Sequence, residues 1–259
     1  MSLEEFQKVI FIKTKLLDFY PLYVLCKKEF IFLLLSPLFP LLLIITITLQ
    51  SMVILGNNYW LNKGLSDFFQ YFLSIPTLLS ITIPMLTMSV WADEKKQHTD
   101  TLLLSLPISI RTIVYGKYIA RLIVWIFMSL LTIIPPLTLI ELVEFPNLSF
   151  FLSYITSCLF GSAALSISLA ISFASKHVAV NFFISFVTII ILNIIHIPAT
   201  LFYKYSVIKN ILSYLSFSYH AENAYKGIFD TRDFIFYLSL IIFGLEANIF
   251  IIKNEQVKK

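Results

Sequence analysis

Long apolar runs, separated by short polar connections, make up most of the chain. Each run contains the ~20 mostly apolar residues that an α-helix needs to cross the hydrocarbon core of a bilayer. The pattern therefore predicts an all-α membrane protein with a single transmembrane domain over residues 1–259. We place six transmembrane helices at about 36–56, 68–91, 113–140, 150–174, 179–200 and 233–252.

Composition and charge extend this prediction. Hydrophobic residues make up 58% of the chain and charged residues 13%, whereas a soluble domain averages about 25% charged residues. Positive charges set the orientation, because short loops rich in Lys and Arg stay on the cytoplasmic side. When both termini are placed in the cytoplasm, fourteen of the nineteen Lys and Arg residues fall on the inner side. We therefore predict that both termini are cytoplasmic.

The segment before the first predicted span, residues 1–35, mixes basic and apolar residues, and Pro21 divides it. Lys27, Lys28 and Glu29 would be costly inside the hydrocarbon core. We therefore predict an amphipathic helix that lies in the inner interface, with its lysines extending to water. The alternative is a ragged start of the first span.

The longest polar interruption lies between the second and third predicted spans and begins WADEKKQHTD. The leucines at 102–104 and 106 are too few to cross a bilayer, and Pro107 stops or bends their helix. Ser109 is the predicted N-cap of the next helix, which starts near Ile110. Residues 92–112 are therefore predicted to form a short amphipathic helix on the cytoplasmic face. An ordinary solvated loop is the alternative.

The segment between the fifth and sixth predicted spans, residues 201–232, is too long for a simple turn. Its aromatic and aliphatic residues alternate with charged ones. This pattern predicts one or two short helices on the outer face. His220 is expected there as a surface or capping residue.

No pattern in the sequence indicates an enzyme. The motifs HExxH, CxxC, GxSxG and GxxxxGK[ST] are absent, and the predicted topology separates the four histidines, so no metal site is expected. Glu246 lies well inside a predicted span, which makes it a candidate functional acid. Small residues at four-residue spacing in the fourth span, such as Ser153, Ser157 and Gly161, indicate either close helix packing or a polar translocation wall. We favour packing.

Residues 84–120 resemble the signature region of the type-2 ABC permease family, especially the branch associated with gliding motility and similar to the nitrous-oxide-reductase maturation permeases. That branch has P-(L/M)-L-T-M, two acids, two basic residues, G-T, a Leu-rich run, (S/T)-(L/S)-P-(I/V)-S and I-V-x-G-K-(Y/F)-x-A. The matching residues here are Pro84 to Met88, Asp93-Glu94, Lys95-Lys96, Thr99, Leu102 to Leu104, Ser105 to Ser109 and Ile113 to Ala120.

Two positions depart from the branch pattern. His98 stands where the branch has the glycine of G-T. Thr101 replaces the acid that the branch has two residues after the threonine, and Asp100 lies one position early. The start of the helix in this segment is therefore expected to be capped differently.

The resemblance implies a membrane-spanning permease subunit of an ABC transporter that forms the translocation pathway as a dimer and works in export. Six spans are half of the usual set, so a second permease chain, identical or different, is an expected partner. A separate soluble ATP-binding cassette subunit would bind ATP and Mg²⁺, so this chain would need no cofactor. The expected location is the bacterial cytoplasmic (inner) membrane. Membrane lipid and an extracytoplasmic accessory protein are further expected partners; nucleic acid is not.

The resemblance also assigns roles to particular residues. The segment 92–112 would be the coupling helix, docked in a groove of the ATP-binding subunit. Its contact residues would be Asp93, Glu94, Lys95, Lys96, His98, Thr99, Asp100, Leu103, Pro107 and Arg111. A secondary cytoplasmic contact would use Lys27, Lys28, Glu29, Lys176 and His177. The competing hypothesis is a membrane scaffold or accessory subunit that anchors an extracytoplasmic complex, which the long outer segment suggests.

Overall fold

The computed structural model describes residues 20–56, 69–137, 147–199 and 206–258, and the secondary structure in these ranges is helical. This confirms the predicted all-α class. The first half contains α1 (Tyr20–Leu35), α2 (Leu38–Gly56), α3 (Phe69–Thr87), α4 (Ala92–Lys96), α5 (Thr99–Ser105), α6 (Ile110–Leu131) and α7 (Ile134–Leu137). The second half contains α8 (Asn147–Ile171), α9 (Val178–Ile194), α10 (His196–Ala199), α11 (Ser206–Leu215), α12 (Phe217–Tyr225) and α13 (Thr231–Lys258).

Four helical stretches in the described ranges are long and apolar enough to cross a membrane, and a bent helix pair raises the number to five if it counts as one span. The four stretches are Tyr71–Lys96, Ile110–Leu137, Leu148–Ile171 and Thr231–Gln256. They coincide with four of the six predicted spans. The fifth predicted span contains α9, whose 17 residues extend over about 25 Å at ~1.5 Å per residue. The count of six spans stays a prediction.

The first predicted span corresponds to α2, and α1 precedes it at a bend of 70°. The break lies at Ser36 and Pro37, where the Ser36 hydroxyl donates to the Leu33 carbonyl at 2.9 Å. Proline has no backbone N–H to donate and disfavours helical geometry in the residue before it, which is a physical reason for the break. Residues 20–35 therefore form a helix of their own, at an angle to α2, and both alternatives from the sequence, an interfacial helix and a start of the first span, stay predictions. The predicted position of α1 at the membrane surface is not tested by the fold, and residues 1–19 lie outside the described ranges.

The helix α8 forms the centre of the bundle and packs against α3, α6, α12 and α13. Its small residues explain how so many neighbours approach it. A Cβ added to Gly161 would lie 2.3 Å from the Trp125 ring of α6. A Cβ added to Gly244 of α13 would lie 2.8 Å from the backbone carbon of Ser166. Only a residue without a side chain permits these approaches, so the small-residue pattern supports close packing.

Serine hydroxyls of α8 also bond across its interfaces. Ser153 donates to the Ala224 carbonyl of α12 at 3.2 Å, and Ser166 donates to the Leu240 carbonyl of α13 at 3.3 Å. Ser168 shares a short hydrogen bond with Thr87 of α3. Each hydroxyl therefore has a partner inside the bundle, as a buried polar group requires.

The predicted outer segment contains two described helices, α11 and α12, which agrees with the expectation of one or two. The prediction that His220 lies at the surface was wrong, because only 2% of its area is exposed. Its Nε2 donates to the Tyr214 carbonyl at 2.8 Å, and its Nδ1 lies 2.6 Å from the Asp233 carboxylate. The ring also stacks on Phe236 at a centroid distance of 3.9 Å. His220 is buried because α12 folds back against the start of α13.

Candidate functional site

The segment that joins α3 to α6 begins with a buried aromatic anchor. Trp91 is fully buried and meets the Phe173 ring edge-to-face, with a centroid distance of 5.1 Å. It is the N-cap of α4, whose sequence is ADEKK. The two acids lie in the first turn and the two lysines in the last, which is the favourable arrangement for the helix dipole. The segment therefore folds as a short helix fixed to the end of α8.

The chain then reverses direction at His98, which has a left-handed backbone conformation (φ 57°). Such a φ is unfavourable for residues with a Cβ and costs glycine nothing. The branch pattern that this segment resembles has glycine at this position, and a left-handed conformation is a physical reason for a glycine there. His98 keeps the turn between α4 and α5 despite the steric cost.

We expect His98→Gly to stabilise the protein by about 1 kcal/mol, because glycine removes the strain at this turn. The apparent melting temperature in mild detergent should rise. Thr101→Gly, two residues into α5, is the comparison variant and should lower stability, because it removes the hydrogen bond from the Thr101 hydroxyl to the His98 carbonyl and places glycine inside a helix. If both variants melt earlier to the same extent, the imidazole itself stabilises the turn and the strain argument is wrong.

The helix α5 has one face against the bundle and one face away from it. Asp100 is buried, and Leu103 and Leu104 pack against the hydrophobic core. Thr101 is exposed, and Leu102 is 68% exposed. Residues 99–105 are helical, and their buried and exposed positions are spaced as in an amphipathic helix. The position of this helix on the cytoplasmic face stays a prediction.

The predicted helix start at Ser109 is also confirmed. Its hydroxyl oxygen accepts a hydrogen bond from the Thr112 backbone N–H at 3.1 Å, and α6 begins at Ile110. Pro107 is exposed in the turn that precedes this cap. The segment 92–112 thus contains two short helices, α4 and α5, in place of the single one that was predicted.

Beneath α4 lies a buried network of four charged side chains. Lys117 of α6 donates to Glu29 of α1 at 2.9 Å and to Glu94 of α4 at 2.7 Å. Arg121, one helical turn after Lys117, forms a short ion pair with the other oxygen of Glu29. The Lys117 ammonium also lies over the Trp91 ring, 4.6 Å from its centroid. The network joins α1, α4 and α6.

The charges of this network balance: two carboxylates face two cations. Lys117 and Arg121 are each 2% exposed and Glu29 is 6% exposed, so their charges are largely removed from water. Burial of a charge is tolerated when a partner of opposite sign bonds to it, and loss of that partner is strongly unfavourable. The network therefore holds the three helices in one arrangement.

Lys95 connects α4 to a different part of the bundle. Its ammonium donates to the Phe173 carbonyl at 2.7 Å and to the Glu255 carboxylate at 2.9 Å, and it lies 3.6 Å from the centre of the Phe173 ring. Phe173 follows α8, and Glu255 lies near the end of α13. Consecutive residues of α4, Glu94 and Lys95, thus fix the segment to two separate sets of helices.

Asn181 of α9 closes the same end of the bundle. Its amide nitrogen donates to the carbonyls of Ser172 and Ser175, both at 2.8 Å, and contacts that of Met88 at 3.4 Å. Its carbonyl oxygen accepts from the Ser175 backbone N–H at 3.1 Å. One side chain therefore joins the ends of α3, α8 and α9, a role that the sequence did not indicate.

The remaining predicted residues fall into three groups. Asp93 is half-buried, and the Thr99 hydroxyl contacts the Glu94 carbonyl at 3.4 Å. Arg111 and Glu246 form a partly exposed ion pair at 3.7 Å, so the candidate acid faces a cation. The exposed members are Lys27, Lys28, Lys96, His98, Lys176 and His177. Within the described ranges, no three His, Cys, Asp or Glu side chains are grouped to hold a metal ion.

Comparison with known proteins agrees with the motif. The family model of the ABC-2 family transporter proteins matches residues 24–252. The chain therefore belongs to the ABC-2 family transporter proteins. It is a multi-pass permease subunit of an ABC transporter, which is a transport component and not itself a catalyst. No curated protein gives a significant match, and the resemblance to the gliding-motility branch stays a prediction.

Proposed function

We propose that this permease pairs with a second permease chain and exports its substrate, driven by a separate ATP-binding subunit that docks on α4 and α5. The observation that supports the proposal most directly is that Glu94 and Lys95 each join α4 to other helices of the bundle through an ion pair. ATP and Mg²⁺ bind to the partner subunit. The protein lies in the bacterial inner membrane, with α4, α5 and both termini on the cytoplasmic side.

The attachments of α4 suggest how force reaches the membrane helices. A push on α4 through Glu94 acts on Lys117 and, through it, on Glu29, so α6 and α1 move with the segment. The same push through Lys95 acts on Glu255 and on the Phe173 carbonyl, so α8 and α13 follow. Because interiors are closely packed, small displacements move helices as rigid bodies.

The two faces of α5 have different roles in this proposal. The inner face, with Leu103 and Leu104, fixes the helix to the bundle. The outer face, with Thr101 and Leu102, is left for the ATP-binding subunit. Glu94 and Lys95, expected from the sequence to contact that subunit, point their charges into the bundle and transmit movement instead. Reversal of Glu94 would place a cation beside Lys117, so this change should disturb the fold as well as the coupling.

We expect Leu102→Asp to lower the ATPase activity of the purified complex by at least about tenfold, because a buried apolar contact with the partner would be replaced by an unpaired charge. Vanadate-sensitive ATPase and the amount of co-purified ATP-binding subunit are the measurements. Leu215→Asp, the same change at an exposed position of α11, is the control and should leave both unchanged. Full activity in Leu102→Asp, or equal losses in both variants, would contradict the proposed docking face.

The outer segment supports one alternative, a membrane scaffold that anchors an extracytoplasmic complex. In α11, Val207, Ile211 and Tyr214 are exposed on one helix face. Purification of the chain with outer-face proteins, and with no ATP-binding subunit, would favour this alternative over the permease mechanism.

A further inference from the structure

A basic cleft lies beside α4, where the end of this helix faces the amino end of α9. It is open to solvent and has a volume of about 530 Å³. Its lining residues are Lys95, Lys96, His98, Lys176, His177, Val178 and Ala179. This volume is far larger than a single ion and falls within the ~300–1,000 Å³ that small-molecule sites have.

The charge of this basic cleft favours an anion. None of the described residues that line it is acidic. The Lys95 ammonium is paired with the Glu255 carboxylate. Lys96 and Lys176 are exposed; Lys96 lies at the end of α4, and Lys176 lies in the connection between α8 and α9. The amino end of α9 adds positive partial charge, and the side chain of His177, its N-cap residue, makes no capping hydrogen bond. Two lysines and a helix end therefore face the same space.

An apolar surface continues directly from the basic cleft along α9. Val180, Phe183, Ile184 and Val187 follow Ala179 at spacings of three and four residues, and all are exposed. Such residues lie on one face of a helix. A ligand with an anionic head and an apolar tail would therefore have both parts covered. Basic pockets between transmembrane helices on the cytoplasmic side are suited to phospholipid headgroups.

We propose that the basic cleft binds the phosphate headgroup of an anionic phospholipid of the inner leaflet, with the acyl chains along the exposed face of α9. The placement in the inner leaflet rests on the orientation given under the proposed function. The lipid would connect α4 with the connection before α9, so that the coupling segment and the surrounding membrane are in direct contact. The direct continuity of the cleft with this lipid-facing surface favours a lipid over an acidic protein as its occupant.

The test uses the full-length chain in mild detergent, titrated with phosphatidylglycerol and followed by native mass spectrometry, with phosphatidylcholine of the same acyl chains as the reference lipid. We expect preferential binding of phosphatidylglycerol. Lys96→Ala combined with Lys176→Ala should weaken it about 25-fold, since each lysine near the headgroup contributes about fivefold. Lys209→Ala combined with Arg232→Ala removes the same charge from exposed positions of the predicted outer segment, away from the cleft, and should change binding by less than about twofold.

Three outcomes would overturn the proposal. The first is equal binding of the two lipids by the wild-type chain, or equal binding by the cleft and control variants. The second is displacement of the lipid by inorganic phosphate at matched concentration, which would assign the cleft to a soluble anion. The third is loss of ATP-binding-subunit association in the cleft variant with unchanged lipid binding, which would assign Lys176 to the protein contact that the sequence suggests. The lipid titration needs no ATP-binding subunit, so it can fail while the permease mechanism holds.

Discussion

Replacement of Glu29 by alanine should lower the free energy of unfolding by about 3–5 kcal/mol, the range for removing one partner of a buried ion pair. Glu29 bonds to both Lys117 and Arg121, whereas the Glu94 carboxylate has Lys117 as its one ion-pair partner among the described residues. The variant therefore leaves the Arg121 guanidinium buried without its carboxylate. Unfolding with SDS in mixed detergent micelles measures the change.

The adjacent Lys28→Ala is the control, because Lys28 is exposed on the same helix and its loss should change stability by less than about 0.5 kcal/mol. A second variant separates burial from pairing. Addition of Arg121→Met to Glu29→Ala removes the unpaired cation, so the double variant should be less destabilised than the sum of the two single changes by about 1 kcal/mol or more. Additive changes, or a loss below about 1 kcal/mol in Glu29→Ala, would mean that Glu29 is solvated and does not hold α1 to α6.

Features that depend on nearby residues could be predicted from the sequence. The hydrophobic runs gave the helical class, and the short polar side chain of Ser109 before an apolar run gave the start of α6 within one residue. Proline at 37 supplies a local reason for the 70° bend between α1 and α2. The replacement of the branch pattern's glycine by His98 led to the expectation of a differently capped helix start, and His98, the N-cap residue of α5, has a left-handed φ.

Features that depend on which helix faces meet could not be predicted. Glu29 and Lys117 are 88 residues apart, and Lys95 and Glu255 are 160 residues apart. A single sequence shows where each charged residue lies on its own helix. It does not show which neighbouring helix that face of the helix contacts. For Lys117 and Arg121, the sequence therefore predicted only a place on the cytoplasmic side. Their spacing of four residues does place both on one face of α6, and that was the available signal for a shared partner.

Two predictions were wrong because they depended on contacts between helices: the exposure of His220, and the single helix predicted for residues 92–112. A histidine in a polar, aromatic stretch has no local signal for burial, because its burial here depends on Asp233 and Phe236 of the next helix. The turn between α4 and α5 depends on one residue that accepts a left-handed conformation. Asn181 carried no motif, although it closes the end of the bundle where the segment 92–112 attaches.

The central claim is that the outer face of α5 contacts an ATP-binding subunit, and site-directed photo-crosslinking in native membranes tests it most directly. Thr101 is exposed on that face, whereas Tyr219 is exposed in the outer segment. Cys26 and Cys158 are both free cysteines, so both are first replaced by serine. A benzophenone maleimide is then attached to a single cysteine introduced as Thr101→Cys or, for the control, as Tyr219→Cys.

We expect illumination of the Thr101→Cys chain to give one covalent product, identified by mass spectrometry as the chain joined to a soluble subunit with a P-loop. Its yield should change when ATP and vanadate trap the ATP-binding subunits in their closed state, because α5 moves with them. The Tyr219→Cys chain should give no such product. Products with the P-loop subunit from both positions, or products with lipid alone from Thr101→Cys, would contradict the account.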